Sequence, residues 1–433
     1  MMIAIVLVVL LLTGLPIYVC LGLTSLIFFI YYEIPLDLLV RTLYSGVDQY
    51  ALISVTGFLL VGTLFDKAGI TEALVTMVRR FMASFKAGLA VITIISCAIF
   101  AAVSGSGPAT VATIGGIMVP AMIRARYTPR FAGAVSASGG ALGILIPPSN
   151  PFLIYGIIAN QSIAALFAAG VVPGILMAVA LSFTSMILLR YFPRFSTQGV
   201  QEERMYQPLT FREAAAAIWQ AKWALIAIVM LLGGIYAGFF TPIEAAEVTI
   251  FYSLIVGFFI TRTMKLKDLY RALADALKLS GTLIILVAMA FVFARLLTIQ
   301  GIPQALGQKI GELSDNPYVI LLVIMAFMIF IGTWAETFSQ IIVLTPIFLP
   351  IITPLGVHPI HFGVLFVVCA EIGFLTPPFG ANLFVAMKIA NISLEEVSKA
   401  SLPFILTYIL VLVVLVFFPE LSLFLPRLIF GRV

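Results

Sequence analysis

The chain has 433 residues, 62% of them hydrophobic and only 10% charged, whereas a soluble domain carries about 25% charged residues, so a water-covered globular surface of ordinary size is excluded. The net charge of +5 sits mainly in short intervals between apolar runs, where membrane proteins collect lysine and arginine on the cytoplasmic side; it gives no support to nucleic acid as a partner. Three cysteines scattered through apolar stretches (Cys20, Cys97, Cys369) and two histidines leave no disulfide framework, soft-metal site or hydrolase machinery, and the chain reads as something other than an enzyme.

In chain order, residues 1–32 form an apolar run without a basic leader segment and longer than the ~7–15-residue core of a signal peptide. It predicts a retained helix with its N-terminus in the cytoplasm. Residues 51–65 predict the return span. Residues 71–85 place Leu74, Val75, Val78, Phe81 and Met82 on one side, which predicts an arm lying in the membrane interface. Apolar segments 87–103 and 109–123 flank the polar tip 104–108 and predict a re-entrant hairpin. Residues 131–159 predict a long helix broken at 146–150 by Pro147 and Pro148. Further apolar runs follow at 164–189, 224–240, 250–260 and 279–293, separated by the polar interval 190–212 and by basic loops that include Arg190, Arg194, Arg204, Arg262, Lys265, Lys267 and Arg271. Segments 319–331 and 340–352 predict a second hairpin with its tip at 333–339. Residues 362–390 predict a second broken helix, interrupted at 376–382 by Pro377 and Pro378, and 404–418 is the last span. The expected fold is an all-α polytopic membrane protein. Its expected parts are scaffold helices and an arm (1–86), a first transport half (87–163), scaffold and connecting loops (164–317), a second transport half (318–393) and a C-terminal scaffold helix (394–433), with the C-terminus outside.

The two hairpin-plus-break units are copies of one another. Residues 104–148 align without a gap on 334–378, matching Ile117, Pro120, Pro129, Gly133, Gly143, Leu145, Pro147 and Pro148 to Ile347, Pro350, Pro359, Gly363, Gly373, Leu375, Pro377 and Pro378. Proline and glycine mark special backbone, so their coincidence in register signals a structural repeat. The first copy is flanked by Arg79, Arg80, Lys86, Arg124, Arg126 and Arg130. The second is flanked by Lys309, Glu312 and Asp315 and then by 354–360 with no fixed positive charge. Basic short loops stay cytoplasmic, so the two copies enter from opposite sides. Inverted repeats of this kind are a recurrent construction of secondary transporters.

The breaks point to chemistry. An unpaired backbone carbonyl facing lipid costs several kcal/mol, so broken helix at membrane depth is tolerated only where protein, water or a ligand completes the hydrogen bonding. Freed carbonyls suit a hard cation such as Na⁺, and half-helix N-termini suit a carboxylate. Ser104, Ser106, Thr110, Ser149, Asn150, Thr333, Thr337, Ser339, Thr376 and Asn382 add hydroxyl and amide groups at the same places. Of these, Ser106, Thr110, Ser149, Asn150, Thr337, Ser339 and Asn382, together with Glu336, are the candidate contacts to an organic anion. Glu336 reads either as a functional carboxylate at membrane depth or as a rim residue facing an aqueous cavity. Glu371 either tunes the ion site or faces a polar interior. His358 and His361 read as loop residues, and Glu244 and Glu247 as helix-entrance acids that complement the dipole.

With these features in place, the chain resembles the large membrane subunit of tripartite ATP-independent periplasmic (TRAP) transporters. The resemblance rests on Val103-Ser-Gly-Ser-Gly-Pro-Ala-Thr110, Gly143-Ile-Leu-Ile-Pro-Pro-Ser149 with Ile154-Tyr155-Gly156, Gly238-Phe-Phe-Thr-Pro-Ile-Glu-Ala-Ala246, Leu344-Thr-Pro-Ile-Phe-Leu-Pro350 and Glu371-Ile-Gly-Phe-Leu-Thr-Pro-Pro-Phe-Gly-Ala-Asn-Leu-Phe-Val385. It implies an elevator-type importer of organic acids in the bacterial inner membrane, driven by a sodium gradient. A four-helix small membrane subunit and a periplasmic substrate-binding protein are the implied partners, and lipid the surroundings. Carried over by motif, one Na⁺ falls to Ser104, Ser106, Gly143, Ile146 and Pro148, the other to Thr333, Thr376, Pro377 and Gly380. The alternative is a stand-alone sodium/dicarboxylate symporter of the divalent-anion type, built from similar hairpins and breaks.

Overall fold

A computed structural model describes residues 2–82, 88–192, 210–312, 314 and 316–431. Phe85, Lys86, Arg194, Arg204 and Asp315, which entered the reading above, lie outside the described residues. Those that are described form helices joined by turns, with no β-strand among them. Four helices are long and apolar enough to cross a membrane, and six if each bent pair counts once.

Both predicted hairpins and both broken helices are present. The first hairpin is Leu89–Ser104, a tip at Gly105 and Ser106, and a continuous helical run from Gly107 to Arg124; the second is Pro317–Gly332 and Thr337–Ile352. The first broken helix is Pro129–Ala141 and Asn150–Ala159, the second Pro359–Phe374 and Ala381–Ala390. The paired prolines fall in the gap each time, as their missing N–H groups require.

The repeat extends well beyond the stretch legible in sequence. Ile17–Tyr31, the bent pair Leu36–Val47 and Ala51–Lys67, the arm Ile70–Met82, a hairpin, a broken helix and Ile163–Tyr191 form the first copy. Pro242–Ile260, Leu266–Ile299, a second arm at Ile302–Gly311, a hairpin, a broken helix and Leu394–Phe417 follow in the same order. Small details recur as well. Asn160 and Asn391 end the two broken helices with left-handed backbone at φ 51° and 53°, a conformation asparagine tolerates better than most residues. Ser162 and Ser393 then cap the next helix with their side chains.

Several boundaries differ from the hydropathy reading. Gly14 and Pro16 divide the first apolar run into Met2–Leu12 and Ile17–Tyr31, and 394–431 holds two helices, Leu394–Phe417 and Glu420–Phe430, parted at Phe418 and Pro419. The histidines are not loop residues: His358 caps Pro359–Phe374 through Nδ1, and His361 is buried in its first turn. Glu244 reads as expected, forming a capping box with Thr241. Its carboxylate accepts from the Thr241 amide (2.8 Å) and hydroxyl (2.9 Å).

The copies interlock. In the scaffold, Ile17–Tyr31 packs on Leu266–Ile299, while its counterpart Pro242–Ile255 packs on Ala51–Lys67. In the other layer the two broken helices lie antiparallel. The Tyr155 hydroxyl, near the end of the first, donates to Pro359 O at the start of the second (2.6 Å). Asn382, opening the second half of the second, donates through Nδ2 to Ala137 O in the first half of the first (3.2 Å). Tyr155 is fully buried, so Tyr155→Phe is expected to cost about 0.5–1.5 kcal/mol, the net worth of its hydrogen bond to the half-buried Pro359 carbonyl. In a detergent melting experiment the variant unfolds several degrees earlier, with its response to added Na⁺ unchanged.

Candidate functional site

At the first break the helix closes on Leu142 O, which accepts from both Leu145 N (3.2 Å) and Ile146 N (3.1 Å). The residues four places beyond Gly143 and Ile144 are Pro147 and Pro148, which have no N–H, so these two carbonyls lose their ordinary helical donors. Gly373 and Phe374 stand in the same relation to Pro377 and Pro378. Both Pro-Pro bonds are cis. Pro147 and Pro148 are buried, Pro377 and Pro378 exposed.

Each hairpin tip presses on a break through a glycine. A β-carbon added at Gly143 would lie 2.6 Å from Ser106 O and 2.7 Å from Thr110 Oγ1. One added at Gly373 would lie 2.4 Å from Gly332 O. These approaches gather oxygens. At the first tip Ser104 Oγ and Thr110 Oγ1 are 2.7 Å apart, and Thr110 Oγ1 donates to Ser106 O at 2.9 Å. Asn150 Nδ2 reaches Gly105 O at 3.5 Å, and a β-carbon at Gly105 would sit 3.0 Å from Pro148 O. At the second tip Phe379 N donates to Thr333 O (3.0 Å), tying break to hairpin. The hydroxyls there bond within their own helices: Thr333 Oγ1 donates to Phe330 O (2.8 Å) and Thr376 Oγ1 to Ile372 O (2.7 Å). Gly380 N accordingly donates to Thr376 O (3.1 Å), so Thr376 closes its own turn.

A cavity of about 560 Å³ lies where both tips and both breaks meet the scaffold. Ser104, Ser106, Pro148 and Asn150 line it from the first copy, Glu336, Thr337 and Ala381 from the second, and Phe58, Gly62, Thr63 and Asp66 of Ala51–Lys67 form the opposite wall. Among the described residues its lining includes two carboxylates, Asp66 and Glu336, and no lysine, arginine or histidine.

Ser106, Asn150, Glu336 and Thr337 thus face the cavity. Thr110, Ser149, Ser339 and Asn382 are buried outside its lining. Ser149 is spent locally, donating to Ile144 O and accepting from Phe152 N. Glu336 accepts from Phe338 N (3.0 Å) and Ser339 N (3.3 Å), so this carboxylate caps the helix end expected to receive an external anion. No side chain caps the helical run that starts at Gly107 or the helix Ala381–Ala390, and these two N-termini remain the positive ends at the cavity. Asn382 joins them: its Oδ1 would meet a β-carbon on Gly107 at 2.9 Å, and among the described residues it has no hydrogen-bond partner.

Asp66 was missed in the sequence, although a carboxylate directly after the apolar run 51–65 was the available signal. Glu371 is fully buried in Pro359–Phe374 with both carboxyl oxygens unpartnered among the described residues, as are Thr337 Oγ1, Gln340 Oε1 and Thr345 Oγ1 on the second hairpin. Gln340 and Thr345 also escaped the reading, because an isolated polar residue in an apolar helix carries no periodic signature.

The family described as "Tripartite ATP-independent periplasmic transporter, DctM component" matches residues 4–421. The chain is 38% identical over 415 residues to the isethionate TRAP transporter permease protein DctMQ of Oleidesulfovibrio alaskensis, covering 96% of this chain and 64% of that protein; it therefore spans just under two thirds of that relative's length. It is 34% identical over 439 residues to the C4-dicarboxylate TRAP transporter large permease protein DctM of Rhodobacter capsulatus (98% and 97% covered). It is 32% identical over 390 residues to the sialic acid TRAP transporter large permease protein SiaM of Vibrio cholerae (89% and 88% covered). Among solved structures, the crystal structure of the Alcanivorax borkumensis YdaH transporter shares the fold, with a TM-score of 0.66 over 88% of each chain at 15% identity.

Proposed function

The chain belongs to the DctM component family of tripartite ATP-independent periplasmic transporters, a family of multi-pass membrane permeases, and from that premise we propose that it carries a small organic acid inward by coupling it to sodium. Membership in this family sets the stand-alone divalent-anion symporter aside. The relatives are named for isethionate, C4-dicarboxylate and sialic acid, all of them acids ionised at neutral pH, and an acid of this class is the proposed cargo. A small membrane subunit and a periplasmic substrate-binding protein are the proposed partners.

One observation carries the coupling. The cavity is lined by Asp66 and Glu336 without a basic side chain among the described residues, so an entering anion meets like charge in a medium of low dielectric. Two uncapped helix N-termini supply only about half a charge each. Bound cations supply the remainder, and the oxygens at the first tip (Ser104 Oγ, Thr110 Oγ1, Ser106 O), pressed against the break at Gly143, are a donor set of oxygen only, suited to Na⁺. The second Na⁺ goes to the Thr333, Thr376, Pro377 and Gly380 region. There the Thr333 and Thr376 hydroxyls each donate their proton to a carbonyl of their own helix and keep oxygen lone pairs for the cation beside the break's carbonyls. In this reading cation binding comes first and makes anion binding favourable, which couples the two.

Movement follows from the packing. Hairpins and broken helices of both copies interlock through Tyr155, Asn382 and their neighbours, while the cavity's far wall belongs to the scaffold. Sliding that body along the wall would carry cavity, cation and anion across together, an elevator step. The test is uptake of labelled acid into vesicles holding this chain with its small subunit and binding protein. Uptake is expected with an inward Na⁺ gradient and to fall to background when choline replaces Na⁺; equal uptake in both would defeat the proposal.

A further inference from the structure

A second cavity, of about 320 Å³ and lined by both polar and apolar side chains, lies at the opposite end of the second broken helix from its break. Three helix N-termini border it, through Pro317 and Tyr318, His358 and His361, and Pro419 and Glu420. His361 is 2% exposed and lines the cavity with both ring nitrogens unpartnered among the described residues. Arg427 lines it too and bonds to Glu420 through Nη1.

Glu420 is also shared with a third cavity of about 490 Å³, otherwise lined by Val172, Phe418, Leu421 and Phe424. A chamber of mixed lining that holds His361, Arg427 and Glu420 and an apolar groove therefore meet at one residue. They lie where Leu394–Phe417 ends and exposed aromatics gather: Phe417, Phe418, Phe424 and Tyr318 are 41–61% exposed. Aromatic side chains at the ends of spanning helices mark headgroup depth.

We propose that these joined cavities bind one phospholipid with a zwitterionic phosphoethanolamine headgroup. Its phosphate accepts from the His361 ring, which keeps at least one N–H in either charge state, and from Arg427, with the three helix N-termini adding positive potential. Its ammonium sits against Glu420, and an acyl chain lies over Val172, Leu421 and Phe424. An anionic lipid without the ammonium would leave Glu420 facing phosphate.

The test uses the full chain purified in detergent, with bound lipid read by native mass spectrometry and melting followed during addition of phosphatidylethanolamine, phosphatidylglycerol or inorganic phosphate. The expected result is one retained phosphatidylethanolamine and a rise in melting temperature that the other two additives do not reproduce. Arg427→Gln and His361→Asn should each weaken retention about tenfold, the loss of a charge-assisted or buried hydrogen bond. Should either variant fold poorly, the exposed Glu420→Gln decides: it should shift preference from phosphatidylethanolamine to phosphatidylglycerol. Equal binding of both lipids by the wild type, an equal shift with inorganic phosphate, or unchanged preference in Glu420→Gln would each overturn the proposal.

Discussion

Gly143→Ala is expected to remove most sodium-driven uptake while leaving the protein in the membrane. The added carbon would sit 2.6 Å from Ser106 O and 2.7 Å from Thr110 Oγ1, a separation that real β-carbons do not show, and the first of these atoms is backbone with little room to yield. The hairpin tip must retreat, which takes Ser104 Oγ, Thr110 Oγ1 and Ser106 O away from the break at Gly143. Overpacking of this kind costs about 1–3 kcal/mol, or roughly a 5- to 150-fold loss of cation affinity at 1.4 kcal/mol per factor of ten. Gly373→Ala, with Gly332 O at 2.4 Å, should behave alike at the other site. Gly116→Ala is the control: it lies on the same hairpin as the first tip, with nothing within 4 Å of its added carbon. It should transport normally and melt slightly higher, since alanine favours helix over glycine by up to about 1 kcal/mol. Vesicle uptake against Na⁺ concentration, with the three variants side by side, checks all of this.

Thr110→Val should have the second-largest effect. The swap keeps shape but removes the hydroxyl that touches Ser104 Oγ at 2.7 Å and Ser106 O at 2.9 Å. Thr110 is fully buried, so water cannot replace it. A buried polar partner lost without replacement costs about 1–3 kcal/mol, and the Na⁺ concentration for half-maximal uptake should rise about tenfold. Ser106→Ala should do less, because Ser106 contributes its carbonyl and retains it in the variant. Thr376→Ala should also do less, since its hydroxyl makes the single bond to Ile372 O within its own helix, whereas Thr110 Oγ1 also meets Ser104 Oγ across the tip. Equal effects from Thr110→Val and Thr376→Ala would show that the two sites do not differ as their hydrogen bonds indicate.

The features legible in the sequence were those that proline and glycine mark. Pro147, Pro148, Pro377 and Pro378 gave both breaks, and Gly143 and Gly373 in matching positions gave the repeat, because backbone without an N–H or without a β-carbon admits few substitutes. The scaffold half of the repeat was invisible for the opposite reason. Ile17–Tyr31 and Pro242–Ile260 face neighbours and lipid with interchangeable apolar side chains, so their equivalence leaves no trace in residue identity. The arm Ile302–Gly311 was hidden the same way.

At the site, residue type was readable and its commitment was not. Ser149 and Glu336 carry suitable oxygens, yet one is spent on Ile144 O and the other on the amides of Phe338 and Ser339. Local side-chain-to-backbone bonding of this sort competes with any ligand, and only three-dimensional geometry reveals which competitor wins. Asn382 shows the converse. Its position in the second break was evident, but its approach to Gly107 and Ala137 of the first copy follows from the antiparallel packing of two helices far apart in sequence.

The most direct test is calorimetric titration of the purified chain with NaCl against a choline chloride blank, for the wild type, Gly143→Ala and Thr110→Val. Saturable heat specific to Na⁺ in the wild type, displaced to about tenfold higher concentration in Thr110→Val and by roughly 5- to 150-fold in Gly143→Ala, is the predicted result. A wild type without saturable Na⁺ binding, or variants that bind Na⁺ as tightly as the wild type, would contradict the account.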